Sequence, residues 1–247
     1  MTNMQRINIF DFDSLLAPDT WAKMWVWVKN FGYNGILRKD ALDEAVAEYR
    51  TRYGGDNVEI LFSFLGDLLI ENDMTITEQE LMDGERYLSY YQGVDGCFGN
   101  AAIKNYIVSG GLENFLRKLT IAESFAGIYG ACAEENEWGE IVQIQDKMTE
   151  ERRIATIREI LRTNNREGDC AEVLYVGDGL RDIEAMRYIH NHGGKTIFVH
   201  PDDTGYEVDA ARNAELYKRL SDEGIVDYNL VADYRPGTEL RTMMDEE

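Results

Sequence analysis

Asp11-Phe12-Asp13-Ser14 sets two carboxylates two residues apart, directly after the apolar run Ile7-Asn8-Ile9-Phe10. Two acids at a strand end can share one site. One can attack an electrophile such as phosphorus while the other handles the proton of the leaving oxygen. A carboxylate nucleophile would form an acyl-phosphate and split one hard step into two easier ones. Its partner must be protonated for part of the cycle, which a like-charged neighbour favours. Read alone, the pair serves equally well as a surface turn with two solvated acids.

Three further places carry similar residues. Ser109-Gly110-Gly111 follows Asn105-Tyr106-Ile107-Val108 and precedes a helix candidate at Leu112–Leu119. A hydroxyl and exposed backbone N–H groups at a helix start suit a phosphate, and they suit an ordinary helix cap as well. Lys147 stands just before Thr149-Glu150-Glu151, which reads as an N-cap and an acidic first turn. From there a lysine can reach a sheet edge and offset negative charge; on an exposed loop it would simply be solvated. Gly177-Asp178-Gly179-Leu180-Arg181-Asp182 follows the apolar run Val173–Val176. Hard oxygens of this kind suit Mg²⁺, with Asp178 as a ligand and Asp182 binding the ion directly or holding one of its waters.

The elements that must position these residues alternate from Lys104 onward. Strands are expected near 105–108, 125–132, 172–176, 196–199 and 228–232, and helices near 112–119, 149–162, 182–190 and 207–220. With the strand at 6–12, this implies right-handed βαβ units and a parallel sheet. Sites in such sheets lie at the carboxyl ends of the strands. Asp11 and Asp13, Ser109, and Asp178 all fall there. Residues from about 19 to 103 read as mostly helical. Trp21, Met24, Trp25 and Val28 form a packing stripe, Ala41–Tyr49 alternates acids with alanines, Val58–Ile70 is apolar on one face, and Thr77 with Glu80 forms a capping pattern.

Bulk properties narrow the partners. The 247 residues carry 46 acids against 25 bases, a net charge of −21. Such a surface repels nucleic acid and anionic membranes, while one bound cation can still admit a small anion. Three cysteines, Cys97, Cys132 and Cys170, are widely spaced and form no CxxC pair, so reduced thiols in a cytoplasmic protein are expected. No secretory leader and no run long enough for a membrane span is evident. His190 and His192 read as capping or surface residues at a helix end.

The four motifs, in this order, resemble those of the haloacid dehalogenase superfamily, and Ser109-Gly110-Gly111 is similar to its phosphoserine phosphatase branch. The match covers roughly residues 5–15 and 104–235. The resemblance implies an α/β fold: a Rossmann-like parallel-sheet core at 1–15 and 104–247, with an inserted helical cap of the first type at 16–103. It implies Asp11 as nucleophile and Asp13 as general acid/base. Lys147 would be the third-motif cation, with Arg152 and Arg153 as substitutes, and Ser109 and Gly110 would bind phosphate. Mg²⁺ would be held by Asp11, the backbone carbonyl of Asp13, and Asp178. The substrate would be a small phosphorylated metabolite. Asp13 favours phosphoryl transfer over carbon–halogen cleavage. A phosphomutase or a non-catalytic phosphate- or metal-binding protein of the same fold are the alternatives. Leu15 departs from the Thr or Val usual at its position, a change expected to alter packing more than chemistry.

Overall fold

The computed structural model describes residues 5–18, 57–71, 73–201 and 210–246, together with Glu48 and Thr51. The helix expected from Asp19 with Trp21, Met24, Trp25 and Val28 lies outside the described residues. So does the stretch 41–49 except Glu48, and so does the start of the helix expected at Glu207.

In chain order the described elements are β1 (Arg6–Phe10), α1 (Asn57–Glu71), α2 (Glu78–Gly84), β2 (Ile103–Leu112), α3 (Glu113–Leu116), β3 (Gly127–Glu135), β4 (Ile141–Asp146), α4 (Glu150–Thr163), β5 (Val173–Gly177), α5 (Ile183–Asn191), β6 (Lys195–His200), α6 (Ala210–Asp222), β7 (Tyr228–Val231) and α7 (Glu239–Asp245). The strands form one sheet in the order β4-β3-β2-β1-β5-β6-β7. Every pairing is parallel except that of β3 with β4. The chain therefore winds outward from β1 in both directions, and the sheet's order reverses there.

The near-continuous apolar strands follow from burial on both sheet faces. Because side chains alternate along a strand, each strand feeds two cores. Phe10, Ile107, Leu174, Val176, Ile197 and Val199 join one apolar cluster with side chains of α1, α3 and α7. Ile7, Ile9, Tyr106, Val108, Val173, Tyr175 and Phe198 join another with α4, α5 and α6. The result is three layers, helix on sheet on helix.

Several expectations shift. The helix expected at Leu112–Leu119 is a short turn at Glu113–Leu116, because β2 runs on through Ser109-Gly110-Gly111 with an irregular register against β3 between Val108 and Leu112. The antiparallel edge strand β4 and the last helix α7, capped by Thr238, have no counterpart in the sequence reading. Parts of the segment expected to form the cap also reach the core. Ile76 bridges Ile141, Tyr91 N–H donates to the Leu16 carbonyl (3.0 Å), and Leu81, Val94, Cys97 and Phe98 lie in the cluster that holds Phe10.

Candidate active site

Strand β1 lies between β2 and β5, so its carboxyl end faces both of theirs. Asp11 leaves that end fully within the sheet layer. Its N–H donates to the Val176 carbonyl (3.1 Å), and its Oδ1 accepts the Phe12 N–H (2.8 Å). The chain then reverses. Ser14 adopts φ +59°, and the N–H groups of Leu15 and Leu16 both return to the Phe12 carbonyl. A non-glycine residue in this left-handed region is held there by its surroundings. Leu15 is buried in the apolar cluster, and its carbonyl accepts the Tyr234 hydroxyl (2.8 Å).

The turn brings Asp13 back over the strand end. Its Oδ2 accepts the Ser109 hydroxyl at 3.5 Å, and that hydroxyl in turn accepts the Gly111 N–H (3.1 Å). Burial and then the adjacent Asp11 push the Asp13 carboxyl up to about 6, against the opposing charges of Arg181 and Arg153. A carboxyl held there is protonated at mildly acid pH and ionised above it, as an acid that later becomes a base requires.

The loop after β5 contributes two acids with different environments. Asp182 is fully buried. Its Oδ1 accepts Tyr175 Oη (2.6 Å) and Arg153 Nη1 (3.2 Å), and its Oδ2 accepts the backbone N–H groups of Asp178 and Gly179 (both 3.1 Å). Four donors use the full accepting capacity of a carboxylate. Asp182 therefore ties the Asp178–Gly179 loop to the sheet. Gly177 makes this possible, since a Cβ there would lie 2.5 Å from the Asp182 carboxyl carbon. Asp178, set at the rim of the strand end, has its carboxyl pushed well above the ordinary range by burial and by Asp182, Asp11 and Asp13, with Arg181 opposing. Carboxylate oxygens of Asp11, Asp178 and Asp182 all lie within 4.8 Å of one another.

The cation set against these acids is Arg153, one of the two substitutes weighed for Lys147. Lys147 is exposed, and its Nζ donates to Ser63 Oγ on α1 (2.9 Å). Arg153 occupies the interior instead, one turn into α4, with Nη1 3.7 Å from Asp11 Oδ1 and 2.6 Å from the Val108 carbonyl. Burial works against its charge, but Tyr175, Asp11 and Asp182 outweigh that and raise its pKa. Arg153 Nη2 is buried with no hydrogen-bond partner among the described residues. The signal was present in the sequence as one of three basic residues at the helix start. Helical periodicity separates them only once the buried face is known: Arg153, Ile157, Ile160 and Leu161 share it. Tyr175 is a functional candidate that the sequence offered only as an apolar strand residue.

The α/β fold is shared with solved structures of phosphoserine phosphatases. Among solved structures that share it are a phosphoserine phosphatase captured as a phospho-aspartyl intermediate analogue (TM-score 0.60, 13% identity, 98% of each chain covered) and a protein of unknown function from Bordetella pertussis (TM-score 0.64, 12% identity, 93% of this chain and 99% of that one). A HAD family hydrolase from Salmonella enterica serovar Typhi is similar at a TM-score of 0.59 and 14% identity, over 98% of this chain and 71% of that one. At such identities the likeness is one of fold. No protein-family model matches the chain, and no curated protein does.

Proposed function

We propose that this chain is a phosphomonoester hydrolase that works through a phosphoaspartyl intermediate on Asp11, acting on a small phosphorylated metabolite. One observation carries the reading. Asp11 ends the central strand beside a buried guanidinium, and Asp13, its carboxyl raised to about 6, stands next to it. A receptor for phosphate alone has no use for a second carboxyl held ready to give up a proton.

In this reading an Asp11 oxygen attacks phosphorus in line, and the bond from phosphorus to the ester oxygen breaks. Asp13 gives its proton to the departing alcohol. As a carboxylate, Asp13 then takes a proton from water, whose oxygen attacks the phosphoaspartate. Orthophosphate leaves and Asp11 is restored. Arg153 takes the part expected of Lys147, with its unpartnered Nη2 available to a phosphoryl oxygen. Ser109 orients Asp13 and shares the phosphoryl pocket with the backbone of Gly110.

The donor set fits a hard divalent cation. Acids cluster at one point, and burial together with the neighbouring acids raises the pKa of Asp178. Asp11, Asp178 and the Asp13 carbonyl are the groups that would hold Mg²⁺, while Asp182 keeps the loop in place. Bound there, the ion would neutralise charge on the phosphoryl group. The cap proposed for residues 16–103 would choose the leaving group, and phosphoserine is the first ester to try because phosphoserine phosphatases share the fold. The net charge of −21 supports a small anionic substrate over nucleic acid or a membrane surface, and no described helix is long and apolar enough to cross a membrane. Free thiols at Cys97, Cys132 and Cys170 support a cytoplasmic setting.

The test is phosphate release from phosphoserine, p-nitrophenyl phosphate and other small esters, with Mg²⁺ and with chelator. Release should require the metal. Asp11→Asn should abolish it, with an unchanged circular dichroism spectrum. Normal turnover in Asp11→Asn would sink the assignment.

A further inference from the structure

We propose that Arg181 is a second phosphoryl-binding cation of this site, seated against the bare face of Gly110. The proposal builds on the phosphomonoester reading above. Arg181 lies between Asp178 and Asp182 in the one-turn helix Leu180–Asp182 that follows β5. Gly110 lies in β2. These two strands flank β1 on opposite sides. A side chain that starts beyond β5 and reaches β2 must therefore cross the carboxyl end of β1, where Asp11 sits. It does reach: a Cβ on Gly110 would stand 2.7 Å from Arg181 Nη1 and 3.4 Å from Cζ.

Three consequences follow. Any residue larger than glycine at position 110 would displace the guanidinium, so Gly110 has a steric duty besides offering its backbone to phosphate. The guanidinium partly offsets the negative charge at Asp13 and Asp178, which burial and neighbouring acids disfavour. And the site gains a needed charge. Among the described residues, Arg181 and Arg153 are the cations that act on Asp13, so with Asp11, Asp13, Asp178 and Asp182 all ionised one divalent ion brings the formal total to neutrality. Without Arg181 the site would remain negative even with its metal, in a chain whose net charge is already −21. A planar fork of N–H donors also matches two phosphoryl oxygens at once, which an ammonium group does not.

The experiment is calorimetric titration of inorganic phosphate into the Mg²⁺-loaded full chain, alongside kcat and KM on whichever ester is turned over. Phosphate carries no second functional group, so its affinity reports on the phosphoryl pocket alone. Arg181→Ala should weaken phosphate by at least about tenfold, in keeping with the loss of a charge-assisted hydrogen bond. Arg181→Lys should recover part of that loss. Arg162→Ala, a surface arginine paired with Glu159, should leave it unchanged. Gly110→Ala should weaken phosphate as well, and the double variant should bind no worse than the poorer single, because the two changes remove one interaction. Phosphate affinity in Arg181→Ala within twofold of the wild type would overturn the proposal, as would wild-type protein that binds no phosphate, or fully additive losses in the double variant. If the wild type hydrolyses no ester at all, the reading of function fails, and the titration still decides the role of Arg181.

Discussion

Asp182 and Asp13 show how one charge acquires different duties from its surroundings. Asp182 is enclosed by Arg153, Tyr175 and two backbone N–H groups, and so it serves as an anchor. Removing one partner of a buried ion pair leaves the other charge uncompensated, at a cost of roughly 3–5 kcal/mol. Asp182→Asn should thus destabilise the protein by about 3 kcal/mol in urea unfolding, whereas Tyr175→Phe should cost only about 1 kcal/mol. Equal losses in the two variants would mean that the ion pair is not the dominant contact. Asp13 shares the burial and the repulsion from Asp11 but receives the Ser109 hydroxyl in place of four donors. Its folded-state carboxyl is raised to about 6, so the native chain keeps a proton that the unfolded chain has already released. Stability from this group is therefore present at low pH and falls as pH rises from about 4 to about 6, by on the order of 2 kcal/mol. In chelator, the thermal midpoint should decline across that window, and Asp13→Asn should flatten the decline. An unaltered slope in Asp13→Asn would place the titrating group elsewhere.

At the scale of elements, strand ends and helix starts do the positioning. β1 delivers Asp11, β2 delivers Ser109 and Gly110, the loop after β5 delivers Asp178 and Asp182, and α4 delivers Arg153. The β5 loop is the most tightly specified. Its turn closes only because Gly177 has no side chain to meet the Asp182 carboxyl, 2.5 Å from where a Cβ would stand. Gly177→Ala should force Asp182 out of its network and cost about 1–3 kcal/mol, the usual range for overpacking a filled site. It should also reduce metal affinity by moving Asp178. Much of this layer was legible in the sequence. The apolar runs, the acids at their ends and the capping pattern at Thr149 mark β1, β5 and α4 directly, because burial on both faces leaves a dense apolar signature. The true extent of β2 was not legible. Ser-Gly-Gly resembles a cap or turn, and only pairing with β3 shows that it continues a strand. Strand β4 was hidden for a similar reason: Ile141–Asp146 alternates weakly, and its existence depends on the edge that β3 offers.

The molecule as a whole is strongly acidic, and it gathers its least tolerable acids at the reversal point of the sheet. Repulsion among them lowers the stability of the metal-free state, so a divalent cation should act as a structural ligand as well as a cofactor. Saturating Mg²⁺ should raise the thermal midpoint, with a free-energy gain of about 2.7 kcal/mol at a hundredfold excess over Kd. Sodium chloride at matched ionic strength should not reproduce the gain, and Asp178→Asn should lose most of it. A midpoint that Mg²⁺ leaves unmoved would argue against the carboxylate cluster as a metal site.

By itself the sequence determined the kind of sheet and the strand ends at which the acids Asp11, Asp13, Asp178 and Asp182 lie. These depend on local patterns of burial and charge, which a linear chain displays. Only the tertiary structure decided which basic residue faces the acids. Lys147, Arg152 and Arg153 are near neighbours in the chain, and their roles separate only when α4 turns one of them toward β1 and β2. Only the structure, likewise, joined Arg181 to Gly110, 71 positions apart in the chain, because that contact exists through the crossing of β2, β1 and β5 and leaves no trace in the spacing of either residue.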